Sequence, residues 1–108
     1  MLKHLENDQE YFEIFQRNIG VFTKKEQLKL RNSTVLIAGT GGIGGPLAEV
    51  LVRMGFGELI LADFDTYSIS NLNRQLPSTL SDIGKHKAKV LESHLKQIHP
   101  YTEIVVVP

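Results

Sequence analysis

The spacing of apolar positions changes near residue 34 and divides the chain into two parts. In the first part, apolar side chains recur at near-helical spacing, at Tyr11, Phe12, Phe15 and Ile19. Gly20 follows, a residue type that commonly ends helices. The run Thr23-Lys24-Lys25-Glu26 then matches a capping box, which predicts a second short helix. Residues 1–33 are therefore predicted to be a helical N-terminal segment.

The second part, residues 34–108, alternates short apolar runs with helical stripes. The apolar runs cover residues 35–38, 59–62 and 104–107, and each has the length of a strand buried on both faces. Between them lie two stripes of helical period, one formed by Leu47, Val50, Leu51 and Met54 and the other by Ala88, Leu91, Leu95 and Ile98. The order is strand, helix, strand, helix, strand.

This order predicts an α/β fold of the Rossmann-like, three-layer kind, with a parallel sheet and right-handed crossovers. Three strands make one mononucleotide-binding half of such a fold. A lone half would leave the first strand with an unpaired apolar edge. We therefore expect residues 34–108 to be the start of a longer domain, or a domain that a partner completes.

Composition narrows the class of protein. Lys plus Arg equals Asp plus Glu, so the net charge is zero and gives no support to nucleic acid as the main ligand. The chain has no cysteine, which excludes disulfides and a thiol nucleophile within it. It shows neither a signal peptide at its start nor an apolar stretch of membrane-spanning length. The expectation is a soluble, cytoplasmic protein that does not bind a membrane.

A glycine-rich turn links the first predicted strand to the first predicted helix of the second part. Gly39, Gly41 and Gly44 match G-x-G-x-x-G, and Gly42 adds a fourth glycine. In this context the glycines permit a tight turn, close approach to phosphate and close helix–strand packing, while the helix N-terminus attracts an anion. The motif is weak by itself, because a strand–helix turn can also bind nothing. The later acidic residue favours nucleotide binding.

That acidic residue is Asp63, at the end of the second predicted strand. A carboxylate in this position commonly accepts hydrogen bonds from ribose hydroxyls, although a solvated Asp is the alternative. Asp65 lies two residues later and would project to the same side in an extended segment. It could orient a basic side chain or reach a magnesium-bound water, or it could simply form a turn.

The segment from Asp63 to Gly84 is longer than ordinary connections, and loops of this length are often functional. It contains Asn71, Arg74 and Gln75, whose donors suit phosphate and ribose oxygens; the alternative interpretation is a solvent-exposed polar loop that binds nothing. Lys87 opens the next helix, where its charge opposes the helix dipole unless an anion is bound nearby.

Several kinds of site are not indicated. The four histidines show no compact metal-ligand spacing, so no metal site formed by the protein is predicted. Neither a nucleophile elbow nor a P-loop is present, which argues against a serine hydrolase and a Walker-type ATPase.

Taken together, these motifs resemble the ThiF/MoeB/HesA superfamily, the activating enzymes of ubiquitin-like and sulfur-carrier proteins. The resemblance runs from about Arg17 to Tyr101. It is strongest in Asp63-Phe64-Asp65, in Ser70-Asn71-Leu72-Asn73-Arg74-Gln75, and in Gly84 and Lys87. The dehydrogenase fingerprint does not require this combination.

The resemblance implies binding of ATP with Mg²⁺ and adenylylation of the C-terminal carboxylate of a ubiquitin-like or sulfur-carrier protein. It implies that Gly39, Gly41, Gly42 and Gly44 cradle the nucleotide, with Asp63 at the ribose. Asn71, Arg74 and Lys87 would contact the phosphates, with Gln75 in support. Arg17 would be an arginine finger, which in several relatives crosses a dimer interface, so a homodimer is expected.

The residues leave other readings open. One alternative is a variant within the same superfamily that adenylylates a small molecule or a modified tRNA instead, as the threonylcarbamoyladenosine dehydratases do. An NAD(P)-dependent oxidoreductase is compatible with the glycine-rich turn and Asp63, although Asn71, Arg74 and Lys87 would then lack a function. The third possibility is a catalytically silent nucleotide-binding or dimerisation module. The family's metal-binding Asp, and the cysteines of some members, would lie beyond residue 108.

Overall fold

The structure is a computed structural model that describes residues 8–107. Its elements follow the predicted order. They are α1 (Asp8–Ile14), α2 (Lys24–Arg31), β1 (Thr34–Ala38), α3 (Gly44–Met54), β2 (Glu58–Ala62), α4 (Lys87–Lys96) and β3 (Glu103–Val107). The long segment between β2 and α4 contains two short 3₁₀ turns, Ile69–Asn71 and Leu80–Asp82. No helix within residues 8–107 is long and apolar enough to cross a membrane.

The three strands form one parallel sheet in the order β1-β2-β3. The α/β Rossmann-like prediction is thereby confirmed. The core lies on one face of the sheet, where strand residues such as Ile37, Leu59 and Ile104 pack against Ala48 of α3 and Leu91 of α4. Both crossover helices therefore cover the same face, as right-handed crossovers in one direction require. Residues 8–107 thus form the sheet and a helical layer on one of its faces; the second helical layer of the predicted three-layer arrangement is not present among them.

The expectation that the first strand is buried on both faces is wrong. Leu36 is 62% exposed, while its neighbour Ile37 is buried. Leu36 lies in register with Ile60 of β2, which in turn aligns with Val105 of β3. This row points away from α3 and α4, and no helix within the described residues covers that face of the sheet.

The predicted apolar stripe of α3 is also partly wrong. Leu47 and Val50 are about half exposed, and the buried residues of α3 are Gly45, Ala48 and Val52. Small residues at this spacing allow the helix to approach the sheet closely, which the larger side chains would prevent. Periodicity identified the helix correctly but placed its buried face on the wrong residues.

The N-terminal segment packs at the C-terminal end of α3. Tyr11 is completely buried and donates a hydrogen bond from its hydroxyl to the carbonyl of Gly55, at 2.7 Å. The capping box between Thr23 and Glu26 is confirmed in both directions. The first predicted helix ends earlier than expected, at Ile14, and a 3₁₀ turn over Gln16–Asn18 follows it.

Candidate functional site

The glycine-rich turn lies where β1 ends and α3 begins. Gly39 has a φ of +92°, a conformation that favours glycine, and its N–H donates to the carbonyl of Ala62 at 2.8 Å. A Cβ on Gly44 would lie 2.0 Å from the carbonyl oxygen of Gly39, so only glycine allows this approach. No side chain caps the N-terminus of α3. Gly45 and Leu47 donate to the carbonyls of Gly41 and Ile43, both at 3.1 Å, and Pro46 has no N–H. Among the first four residues of α3, the N–H of Gly44 is therefore the one left for an anion.

The carboxylate of Asp63 is fixed by three hydrogen bonds. Its Oδ2 accepts from the backbone N–H of Thr40 at 2.9 Å and from the Thr40 hydroxyl at 3.0 Å. Its Oδ1 accepts from the N–H of Asp65 at 2.9 Å. The end of β2 is thereby tied to the glycine-rich turn, and the carboxylate has one orientation.

These contacts also hold Asp63 in its charged form. Burial raises the pKa of the carboxyl, but the hydrogen bonds from Asp65 and Thr40 and the positive charge of Lys87 outweigh burial. The pKa of Asp63 is therefore below its ordinary value. A carboxylate that remains ionised acts only as an acceptor, which suits the hydroxyls of a ribose.

Arg74 and Gln75 lie beside the glycine-rich turn. A Cβ on Gly42 would be 3.8 Å from Cγ of Arg74, and one on Gly41 would be 3.5 Å from Nε2 of Gln75. The guanidinium of Arg74 is held from one side by the Ser70 carbonyl at 3.2 Å and by Asn73 Oδ1 at 2.9 Å. It is otherwise exposed. A guanidinium has five N–H donors, so most of its donors remain for a ligand.

Gln75 is only 4% exposed, and its Oε1 is buried without a hydrogen-bond partner in the part of the chain that the structure describes. A buried acceptor without a donor is costly, and native structures rarely tolerate one. The unsatisfied oxygen lies next to Gly41. It is therefore suited to accept a hydrogen bond from a bound molecule.

Asn71 is buried and stabilises the loop. Its Oδ1 accepts from the N–H of Ser68 at 2.9 Å and from the Ser68 hydroxyl at 3.2 Å, which caps the first 3₁₀ turn. Its side-chain NH₂ has no partner among residues 8–107. The oxygen of Asn71 thus has a structural function, and the NH₂ is the group left for a phosphate or ribose.

Lys87 is a buried cation at the first position of α4. It is 8% exposed, and no carboxylate of residues 8–107 lies within 4.0 Å of its ammonium. The ammonium lies 5.9 Å from the centre of the Tyr67 ring. Buried charges are normally paired, because desolvation disfavours the charged form. An unpaired lysine near Asp63 and a helix N-terminus is the arrangement expected of an anion site.

Asp65 contributes to this arrangement through its backbone. Its N–H donates to Asp63, and its carbonyl accepts from the N–H of Lys87 at 2.9 Å. The Asp65 side chain is exposed. Asp65 thus connects the end of β2 to the start of α4, whatever its carboxylate binds.

Arg17 is not part of this cluster. Its neighbour Asn18 donates to the carbonyl of Met54, at the C-terminal end of α3, at 3.3 Å. The glycine-rich turn is at the other end of α3, and a helix of 11 residues is about 16 Å long. Within one protomer, Arg17 and the cluster around Lys87 are therefore at opposite ends of the helix.

Two buried residues of the site were missed by sequence reasoning. Thr40 is completely buried, and Tyr67 is 2% exposed with a hydroxyl that lacks a partner among the described residues. Thr40 occupies a variable position of the glycine motif, so no motif could single it out. Tyr67 lies in a loop outside the helices and strands, where apolar periodicity cannot predict which residues are buried. Across residues 8–107, no three His, Cys, Asp or Glu side chains are grouped so that they could hold a metal ion.

Comparison with known proteins identifies the family. Residues 15–108 match the model of the ThiF family. This chain therefore belongs to the ThiF family, as the sequence motifs suggested.

Among its relatives, the tRNA threonylcarbamoyladenosine dehydratase of Bacillus subtilis is 38% identical over 91 residues, which is 84% of this chain and 36% of that protein. The sulfur carrier protein ThiS adenylyltransferase of Escherichia coli is 46% identical over 74 residues, which is 68% of this chain and 30% of that protein. The chain thus spans about a third of the length of these relatives.

Comparison with solved structures supports the same family. The E. coli tRNA N6-threonylcarbamoyladenosine dehydratase TcdA, solved in complex with ATP, matches with a TM-score of 0.84 and 29% identity. The match covers 89% of this chain and 40% of TcdA. The fold described here is therefore shared with a protein that binds ATP.

Proposed function

We propose that this chain provides the ATP-binding part of an adenylyltransferase. The reaction transfers AMP from ATP to the C-terminal carboxylate of a ubiquitin-like or sulfur-carrier protein. The observation that supports this most is Lys87, which is buried and has no ion-pair partner among residues 8–107. It lies close to the fixed carboxylate of Asp63, whose pKa its charge lowers.

The residues fit a nucleoside triphosphate. The N–H of Gly44 at the start of α3 and the charges of Arg74 and Lys87 suit phosphates. Asp63 suits the ribose, and the unsatisfied oxygen of Gln75 offers one further acceptor beside Gly41. A nicotinamide dinucleotide could use the turn and Asp63, but it would not require two cations near the turn.

The chemistry needs no general base within the site. A carboxylate substrate is already anionic and can attack the α-phosphate directly, releasing pyrophosphate. Because negative charge accumulates on the phosphates, positioning and charge neutralisation are what the protein must supply. Arg74 and Lys87 provide the positive charge, and the glycine-rich turn allows the backbone to approach.

Mg²⁺ fits this scheme as an ion that accompanies ATP. Mg²⁺ is usually held by phosphates, several waters and one or two carboxylates. Asp65 is the exposed carboxylate nearest the site in sequence, and both oxygens of Asp63 already accept hydrogen bonds. Asp65 would therefore reach the ion through a water.

Arg17 enters the proposal only through a second subunit. In one protomer it lies at the far end of α3 from the phosphate site. In a homodimer, Arg17 of one subunit would act at the phosphates of the other. A monomer with full activity that does not depend on Arg17 would contradict this assignment.

The relatives support a second candidate substrate. One of the relatives and the solved structure described above are tRNA threonylcarbamoyladenosine dehydratases. A carboxylate on a modified tRNA nucleoside would require the same ATP site. The two candidates differ in the molecule that presents the carboxylate.

ATP–pyrophosphate exchange tests the proposal and separates the two substrates. The reaction would be run with a sulfur-carrier protein ending in Gly-Gly, with the same carrier amidated at its C-terminus, and with tRNA that bears threonylcarbamoyladenosine. We expect exchange with the free carrier and none with the amide. Exchange with the tRNA alone would transfer the assignment to the second candidate. If a protein shown to be folded gave no exchange with any of the three molecules, adenylylation would be contradicted.

A further inference from the structure

Thr40 is an unusual residue in the glycine-rich turn because its hydroxyl is completely buried and has one partner. That partner is Oδ2 of Asp63, at 3.0 Å. The Thr40 N–H donates to the same oxygen, at 2.9 Å. One residue of the turn therefore makes two of the three hydrogen bonds that hold the carboxylate.

The distribution of these bonds determines which oxygen is free. A carboxylate oxygen has about two acceptor sites, so Thr40 occupies both sites of Oδ2. Among residues 8–107, Oδ1 accepts from the N–H of Asp65 alone. The acceptor capacity that remains for a ligand therefore lies mainly on Oδ1.

We propose that Thr40 is a positioning residue for the ribose: its hydroxyl orients Asp63 so that Oδ1 accepts from the nucleotide. This inference rests on the proposed function, because it requires Asp63 to bind the ribose of ATP. The physical reason is preorganisation. A carboxylate fixed before binding loses less conformational freedom when the nucleotide arrives.

The test compares three variants with the parent chain. Thr40→Val keeps the shape and the backbone N–H but removes the hydroxyl, whereas Thr40→Ser keeps the hydroxyl. Thr40→Ala serves if the Val variant does not fold, as judged by circular dichroism. Thr34→Val is the matched control, because the Thr34 hydroxyl also donates to a carboxylate, Glu58 at 2.8 Å, but at the opposite end of β1.

Each protein would be titrated with ATP and with 2′,3′-dideoxy-ATP. We expect the parent, Thr40→Ser and Thr34→Val to bind ATP at least about 10-fold more tightly than the dideoxy nucleotide, the scale of a hydrogen bond to a charged group. In Thr40→Val this preference should fall below about 3-fold. If the substitution only disturbed the structure, it would weaken the binding of ATP and of the dideoxy nucleotide equally, and the preference for ATP would be unchanged.

The outcomes separate the two proposals. If the parent binds ATP and Thr40→Val keeps the full ribose preference, the positioning role is wrong and the proposed function stands. If the parent does not bind ATP, the proposed function fails for this chain, and the ribose role of Thr40 fails with it. An NMR titration of the Asp63 carboxyl provides a readout without nucleotide. Its pKa should rise in Thr40→Val, and an unchanged pKa would contradict the orienting hydrogen bond.

Discussion

The substitution Gly44→Ala tests how tightly α3 packs against the glycine-rich turn. An added Cβ would lie 2.0 Å from the carbonyl oxygen of Gly39 and 2.9 Å from its carbon. Both atoms belong to the backbone, so no side-chain rotation can relieve the contact. Either the start of α3 or the turn must move by more than 1 Å, on the order of the overlap with normal van der Waals contact.

Such a shift would disturb the turn whose Thr40 holds Asp63. Overpacking in well-packed regions costs about 1–3 kcal/mol, and a backbone clash of this size belongs at the upper end. For a domain of this size, 3 kcal/mol corresponds to a fall in Tm of roughly 12–24 °C. We therefore expect Gly44→Ala to lose about that much stability in thermal or urea unfolding.

Gly42→Ala is the matched control, since it is also a single methyl added to the same turn. Its Cβ would lie 3.8 Å from the Arg74 side chain, an ordinary contact, so we expect a change in Tm of only a few degrees. The packing argument would be refuted if Gly44→Ala unfolded at the parent temperature, or if both substitutions were equally destabilising.

Three further predictions follow from single residues of the site and core. Arg74→Ala should weaken ATP binding in calorimetry with less than about 0.5 kcal/mol change in stability, whereas Arg53→Ala, at the far end of α3, should leave binding unchanged. Lys87→Met should abolish ATP binding and change stability by less than about 1 kcal/mol, because the desolvation cost that it removes is offset by the lost attraction to Asp63; a larger loss of stability in urea unfolding would contradict this. Burial lowers the pKa of His99 in the folded chain, so the unfolded chain binds the proton more readily. Stability should therefore be full above about pH 6.5 and decline as the pH falls below it, and His99→Gln should flatten this slope.

The fold was largely predictable because strands and helices are encoded in local periodicity. The three strands agree with the structure to within one residue at each end. The burial of β1 and the face of α3 were not predictable in the same way. Both depend on which elements cover the sheet. An apolar run such as Val35-Leu36-Ile37 does not distinguish a strand in a sheet covered on one face from a strand in a sheet covered on both.

The candidate site likewise contains residues that the sequence indicates and contacts that only the tertiary structure shows. Gly39, Asp63, Arg74 and Lys87 stand out because their residue types and spacing match known chemistry, and the structure places them around one turn. The hydrogen bonds of Thr40 and the unsatisfied oxygen of Gln75 arise from tertiary packing of the long loop. The sequence offers no signal for either, and the function of each named site residue stays a prediction.

The measurement that tests the central claim most directly is a calorimetric titration of this chain with ATP–Mg²⁺ and, separately, with NADH. The account predicts that ATP binds, that Lys87→Met and Arg74→Ala both weaken it, and that NADH binds far more weakly. Tight binding of NADH that is unaffected by either substitution would contradict the account and favour an oxidoreductase.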